Sequence, residues 1–215
     1  VEFVLQKWRY QAPIIDISVI EYPVHYIKPD VGIYGPISPN VSALTDKILA
    51  CRTDWTLPNV EILRHDMYQA LQCRSDQGIG AQDVVEIALA SALASQAAFE
   101  KEKLPLITVD AGAHMFSAMA FWPCEESFDV LISNGLATMA YALPAAIAAS
   151  MKIPDRMVVA FTGDGGLLMC LGELSTAVEQ DVPIIVIVFN DRSLSLIDVK
   201  QQASGLPSRG MRWTR

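Results

Sequence analysis

The chain has little of what marks a nucleic-acid binder, a secreted scaffold or a disordered tail. Its 215 residues carry 16 Lys and Arg against 24 Asp and Glu, a net charge of −8, and no basic face is visible along the sequence. Binding to a phosphate backbone draws on clustered lysine and arginine, so nucleic acid is not an expected partner. Cysteine is scarce as well: Cys51, Cys73, Cys124 and Cys170 are widely spaced and form no C-x-x-C pair. That usage fits a reduced, cytoplasmic protein better than a disulfide framework or a zinc site. Charge is low at 19% and apolar content high at 52%, which leaves ample material for a core and no compositional case for disorder. The opening VEFVLQKWRY lacks a start methionine and the tripartite pattern of a secretion signal, and reads as the interior of a longer protein.

One uncharged run is long enough to cross a bilayer, the 22 residues Val130–Met151. It contains Ser133, Asn134, Gly135, Thr138 and Pro144. A short strand, a glycine turn and an alanine-rich buried helix account for it better, so no membrane association is expected.

The rest of the chain is organised by short apolar runs. APIIDISV reads as a buried strand, and SPNVSALTDKILA as a helix with apolar positions at Val41, Leu44, Ile48 and Leu49. Residues 57–82 are polar, with Pro58, Gly78 and Gly80 and one short helix near Val60–Leu71, and read as an interdomain linker. From Asp83 the pattern alternates. Helices are expected at Asp83–Phe99, Ala137–Met151 and Leu167–Gln180 and from Leu194, and strands at Leu106–Val109, Val130–Ser133, Met157–Thr162 and Pro183–Phe189. Such alternation predicts an α/β fold, a doubly wound parallel sheet covered by helices on both faces.

Two of those strands end in an acid. Asp164 follows the first within Gly163-Asp164-Gly165-Gly166, and Asp191 follows the second. Successive parallel strands carry their C-terminal ends on one edge, and adjacent ones lie about 4.8 Å apart, so the two carboxylates can converge where open α/β sheets bind ligands. Between them a helix N-terminus near Leu167 attracts phosphate, and Gly165 and Gly166 leave room for close backbone approach. Two carboxylates beside a phosphate need a bridging cation, and magnesium takes a few protein oxygens and completes its shell with phosphate and water. The plainer alternative is a tight strand-to-helix turn and a solvated loop acid. A dinucleotide glycine loop fits poorly, since the third glycine is absent and Leu168 stands in its place.

GDG, 24 intervening residues and then ND resembles the motif of thiamine-diphosphate-dependent enzymes. NGLATMAYALPAAIAA is similar to the segment that holds the aminopyrimidine in the acetolactate synthase and benzoylformate decarboxylase type, DAGAHM to the loop reaching the diphosphate, and NDRSLSLIDVKQ to the stretch after the second metal ligand. The likeness covers Asp83–Arg215, with a fainter one of Ala12–Ala50 to the end of the family's central domain. It implies a thiamine-diphosphate-binding fold, incomplete at both ends. Residues 1–56 would close a Rossmann-like central domain, and 83–215 would form the cofactor domain, truncated at its C-terminus.

The resemblance also implies roles. Asp164 and Asp191 would hold magnesium together with the carbonyl of Ser193, and Gly163, Gly165, Gly166 and Asn190 would line the diphosphate, with His114 at its far end. Met139 would wedge between the cofactor rings, and the backbone at Ala137 would accept from the aminopyrimidine. His114 as a loop residue and Met139 as a core residue are the structural alternatives. The family often has glycine at the positions of Ala137 and Ala140, and often Asn at that of Asp191. The activating glutamate of the family lies in the N-terminal domain of a partner subunit, so no catalytic residue is expected within this chain. The implied activity is carboligation or non-oxidative decarboxylation of a 2-oxo acid by a homodimer or homotetramer. A non-catalytic cofactor-binding or regulatory module is the alternative.

Overall fold

The computed structural model describes residues 12–21, 28–45, 47, 56–72, 78–98 and 103–213. The opening segment, Ile48, Leu49, Cys51, Cys73 and Phe99 lie outside them. The chain divides into two compact units, Val1–Leu57 and Pro58–Arg215. In the first, strands β1 (Ile15–Ser18) and β2 (Val31–Tyr34) pair in parallel, Ile15 opposite Val31, and helix α1 (Ile37–Thr45) follows.

Helix α2 (Leu57–Leu71) occupies much of the segment read as a linker. Its Tyr68 ring meets Phe121 edge-on at 4.9 Å. Helix α3 (Ala81–Ala98) comes next, its first turn tied by the Asp83 carboxylate accepting from the Gly80 N–H at 2.7 Å. Then follow β3 (Leu106–Val109), α4 (His114–Phe121), β4 (Val130–Ile132), α5 (Ala142–Lys152), β5 (Val158–Gly163), α6 (Asp164–Met169), α7 (Glu173–Glu179), β6 (Ile184–Phe189) and α8 (Ser195–Ala203). The four later strands form one parallel sheet in the order β4-β3-β5-β6.

Alternation along the strands feeds two cores. Ile107, Val109, Val159 and Phe161 pack with Val85 and Ala92 of α3 and Ala118 and Phe121 of α4. Leu106, Val158 and Ala160 face the other way, onto Ala142, Ala146 and Ala149 of α5. Alanine at those spacings lets α5 lie close on the sheet, while Leu143 and Ile147 on its flank pack with Ala177 of α7. The sheet is therefore doubly wound, as the alternation predicts.

The order also fixes where a ligand can sit. From β3 the chain moves outward to β4 through α4 on one face; from β5 it moves outward to β6 through α6 and α7 on the other. The crevice between β3 and β5 is a topological switch point, and its C-terminal edge carries Asp110 after β3 and Asp164 after β5.

Two helices differ from their expected extent. The helix expected at Leu167–Gln180 is two, α6 and α7, interrupted at Cys170–Gly172. Glycine is a weak helix former, and Gly172 caps α7 instead of continuing α6. Since α6 starts at Asp164 and has six residues, the phosphate attraction expected from a long helix beginning near Leu167 is replaced by that of one short turn. Helix α5 starts at Ala142, five residues later than expected, because the chain from Asn134 to Ala140 is a turn. Gly135, Ala137 and Ala140 have φ of 89°, 49° and 64°, a left-handed conformation that no α-helix continues through.

Candidate functional site

Strand register brings the two acid-bearing loops together. Gly163 pairs with Phe189 at the ends of β5 and β6, so Asp164 and Asn190-Asp191 leave adjacent strands on one edge. One oxygen of Asp164 accepts from its neighbour's N–H, Gly165, at 2.8 Å, and the other from the Arg192 N–H at 2.9 Å. The second bond crosses between loops. It depends on Arg192 adopting a φ of 59°, which turns its amide back toward β5. Asp191 accepts from the Ser193 N–H at 3.1 Å and from the Ser195 hydroxyl. Hydrogen bonds thus fix both carboxylates before any ligand arrives.

The glycines between these acids are required by contact. A Cβ on Gly165 would lie 2.9 Å from Leu194 Cδ2 and 3.2 Å from both Met139 Cε and Trp213 Cη2. Met139 therefore reaches across the Gly165 backbone. A Cβ on Gly166 would stand 2.0 Å from an oxygen of Asp110. Asp110 is 1% exposed, and its two oxygens accept from the Ala140 N–H at 3.0 Å, the Tyr141 N–H at 2.9 Å and the Thr162 hydroxyl at 2.9 Å. One buried carboxylate thereby joins the ends of β3 and β5 to the turn that carries Ala137 and Met139.

Sequence reasoning gave Asp110 no role. The signal was there, because it is a third acid placed directly after an uncharged strand.

His114 opens α4 beneath the glycine loop. It is 6% exposed, stacks on Phe189 with ring centres 5.0 Å apart, and its Nε2 has no hydrogen-bond partner. Burial lowers its pKa below the ordinary 6.5, against the opposing pull of Asp110, the Phe161 backbone, Asp191 and Asp164. The ring is held uncharged at neutral pH. A side chain on Gly112 would collide with it, 2.6 Å from Cε1.

These elements enclose a cleft of about 670 Å³. All ten residues singled out from the sequence line it: His114, Ala137, Met139, Gly163, Asp164, Gly165, Gly166, Asn190, Asp191 and Ser193. Ile79 and Gly80 just before α3, Ala81 and Val84 in its first turn, and Leu194–Ile197 supply walls that sequence reasoning did not anticipate. Among the described residues no group of three or more His, Cys, Asp or Glu is disposed around a common metal position. A cation here would draw on two carboxylates and complete its shell from carbonyl and ligand oxygens.

Residues 110–211 match the family described as "Thiamine pyrophosphate enzyme, C-terminal TPP binding domain". The match spans 102 of the chain's 215 residues and is to the cofactor-binding domain of thiamine pyrophosphate enzymes.

The chain is similar in sequence to acetolactate synthases. It is 38% identical over 96 residues to the acetolactate synthase isozyme 1 large subunit of Escherichia coli (strain K12), covering 45% of this chain and 17% of that protein. With the acetolactate synthase of Bacillus subtilis (strain 168) identity is 39% over 95 residues, 44% of this chain and 17% of the relative. A longer, weaker match of 24% over 173 residues joins it to the mitochondrial acetolactate synthase catalytic subunit of Saccharomyces cerevisiae, covering 80% of this chain and 24% of that one. The matched stretch is thus a sixth to a quarter of these relatives. The TPP match begins at Asp110, the acid that anchors the site. No helix among the described residues is long and apolar enough to cross a membrane.

Proposed function

We propose that the cleft binds the diphosphate of thiamine diphosphate through Mg²⁺, and that the protein carries out acetolactate synthase-like carboligation or non-oxidative decarboxylation of a 2-oxo acid. The observation that carries this reading is the registered pair of acid loops, Asp164 and Asp191, with two side-chain-free residues between them. A diphosphate beside two carboxylates is repelled at close range unless a divalent cation intervenes, and Mg²⁺ suits a site offering few protein oxygens.

The residues fit the group. Asp164, Asp191 and the Ser193 carbonyl would hold the cation, and Gly163, Gly165, Gly166 and Asn190, all of which line the cleft, the diphosphate. Buried and uncharged, His114 lines the cleft at the far end of the glycine loop, where its ring would face the diphosphate without adding charge. Met139, braced over Gly165, would support the bend between the two rings, and the turn around Ala137 would meet the pyrimidine. When bound, thiamine diphosphate supplies an electron sink for the carbanion generated at a 2-oxo acid's carbonyl carbon. This chain's part is to anchor, orient and exclude water; the group that activates the pyrimidine is expected in a partner subunit of a homo-oligomer. The reading rests on the cytoplasmic-type cysteine usage and on the relatives for its setting.

The test is product analysis with the complete protein, thiamine diphosphate, Mg²⁺ and a panel of short 2-oxo acids. Consumption of a 2-oxo acid with release of CO₂ supports the reading. Absence of turnover across the panel in protein that has taken up cofactor would favour the non-catalytic module.

A further inference from the structure

Behind the second acid loop, the chain returns. Residues 206–213 leave α8 and run back along Arg192–Leu194, where Ser193 and Arg212 form an antiparallel bridge. Two backbone bonds close it: the Leu194 N–H donates to the Met211 carbonyl at 2.7 Å, and the Trp213 N–H to the Arg192 carbonyl at 3.1 Å. The strap is pinned from below by Asp198 of α8. That carboxylate is 3% exposed and accepts from Arg212 Nε at 3.1 Å and Arg212 Nη2 at 2.7 Å, and from Gln202 at 3.0 Å. The Ser208 side chain, also on the strap, faces the same carboxylate and, with Arg212, holds its pKa below the usual carboxylate range.

In this antiparallel pairing the bonds to the strap belong to Arg192 and Leu194, so the N–H and C=O of Ser193 both face away from it. The Ser193 N–H donates to Asp191. Its carbonyl is consequently held on the same side as the Asp191 carboxylate, while the Arg192 carbonyl is taken up by Trp213. The strap therefore selects which carbonyl stands free beside the acid.

We propose that Arg212 is a positioning residue: by locking the 206–213 strap to Asp198 it orients the Ser193 carbonyl toward the cation, and so sets the metal affinity of the cleft. This rests on the reading of Asp164, Asp191 and Ser193 as metal ligands. Residues that orient ligands from behind typically change metal affinity by about 10–100-fold when removed. Arg212 lies outside the cleft, with a largely exposed side chain.

The experiment titrates the purified protein with Mn²⁺ at saturating thiamine diphosphate, reading bound metal by electron paramagnetic resonance. Acrylamide quenching of Trp213, isolated by difference against Trp213→Phe, reports on the strap. Arg212→Ala is expected to raise the half-saturating Mn²⁺ concentration about tenfold and to increase Trp213 quenching, with Arg212→Lys between it and wild type. Increased quenching with unchanged Mn²⁺ half-saturation would overturn the inference and leave the metal reading standing. No Mn²⁺ uptake by wild-type protein would overturn both. If Arg212→Ala does not fold, Ser208→Ala decides: a clear rise in half-saturating Mn²⁺ supports the strap's role, and a wild-type value refutes it.

Discussion

Gly166→Ala is the sharpest test of how the site is built. The added methyl would lie 2.0 Å from an Asp110 oxygen and 3.0 Å from the Thr162 hydroxyl, where non-bonded atoms ordinarily stand about 3.5 Å apart. Relief demands a shift of about 1.5 Å by the carboxylate or by the start of α6. The clashing oxygen is the one that accepts from the Ala140 N–H and the Thr162 hydroxyl, so moving it breaks or badly lengthens both bonds. Hydrogen bonds to a charged acceptor contribute about 1.5–3 kcal/mol each, and the buried carboxylate has no water to replace them. The expected destabilisation is about 3–5 kcal/mol, a large part of the roughly 5–15 kcal/mol that holds a domain folded. Urea denaturation followed by far-ultraviolet circular dichroism measures it, with an unchanged m-value showing that only stability moved. Gly163→Ala is the control: its Cβ would meet nothing closer than 3.5 Å, its φ is −87°, and a change below about 1 kcal/mol is expected. A Gly166→Ala variant within 1 kcal/mol or so of wild type would refute the argument that Asp110 is fixed against this glycine.

Other outcomes follow from the same geometry. Ala140→Gly removes a methyl from a residue at φ 64° and should stabilise the protein by about 1 kcal/mol in the same denaturation assay, provided the left-handed turn persists. His114 has a lowered folded pKa, so its contribution is full above the unfolded value near 6.5 and declines as pH falls through the folded one. Unfolding free energy should therefore drop as pH falls below about 6.5, and His114→Gln should flatten that slope; equal slopes would contradict the buried, uncharged ring. Met139→Ala is expected to reduce turnover of the cofactor-loaded protein far more than cofactor affinity, whereas parallel losses in both would make Met139 a packing residue.

What the sequence disclosed and what it withheld divide along physical lines. The strands β3 to β6 were legible to within a residue, because the strands of a helix-covered parallel sheet are continuous apolar runs bounded by polar turns. The convergence of Asp164 and Asp191 was legible for a related reason: strand ends in successive parallel units share an edge. The break at Cys170–Gly172 was hidden inside a sequence whose apolar spacing suits one helix. The left-handed turn at Ala137 and Ala140 was hidden because alanine gives no hint of positive φ, although the family's preference for glycine at both positions pointed there. Neither the strand order nor the wall contributed by α3 can be read from local pattern, since both depend on which side of β3 the chain returns to. Asp110 was overlooked although it too follows an uncharged strand, because its partners, two backbone amides about 30 residues away and the Thr162 hydroxyl, are brought to it only by the fold.

The central claim is that a divalent cation joins thiamine diphosphate to Asp164 and Asp191. Isothermal titration of the protein with thiamine diphosphate, in Mg²⁺ and again after its removal by chelation, tests it directly when repeated with Asp164→Ala. The account predicts saturable binding in Mg²⁺, lost on chelation and lost in Asp164→Ala even with Mg²⁺ restored. Cofactor affinity that is the same with and without Mg²⁺, or the same in Asp164→Ala as in wild type, would contradict it.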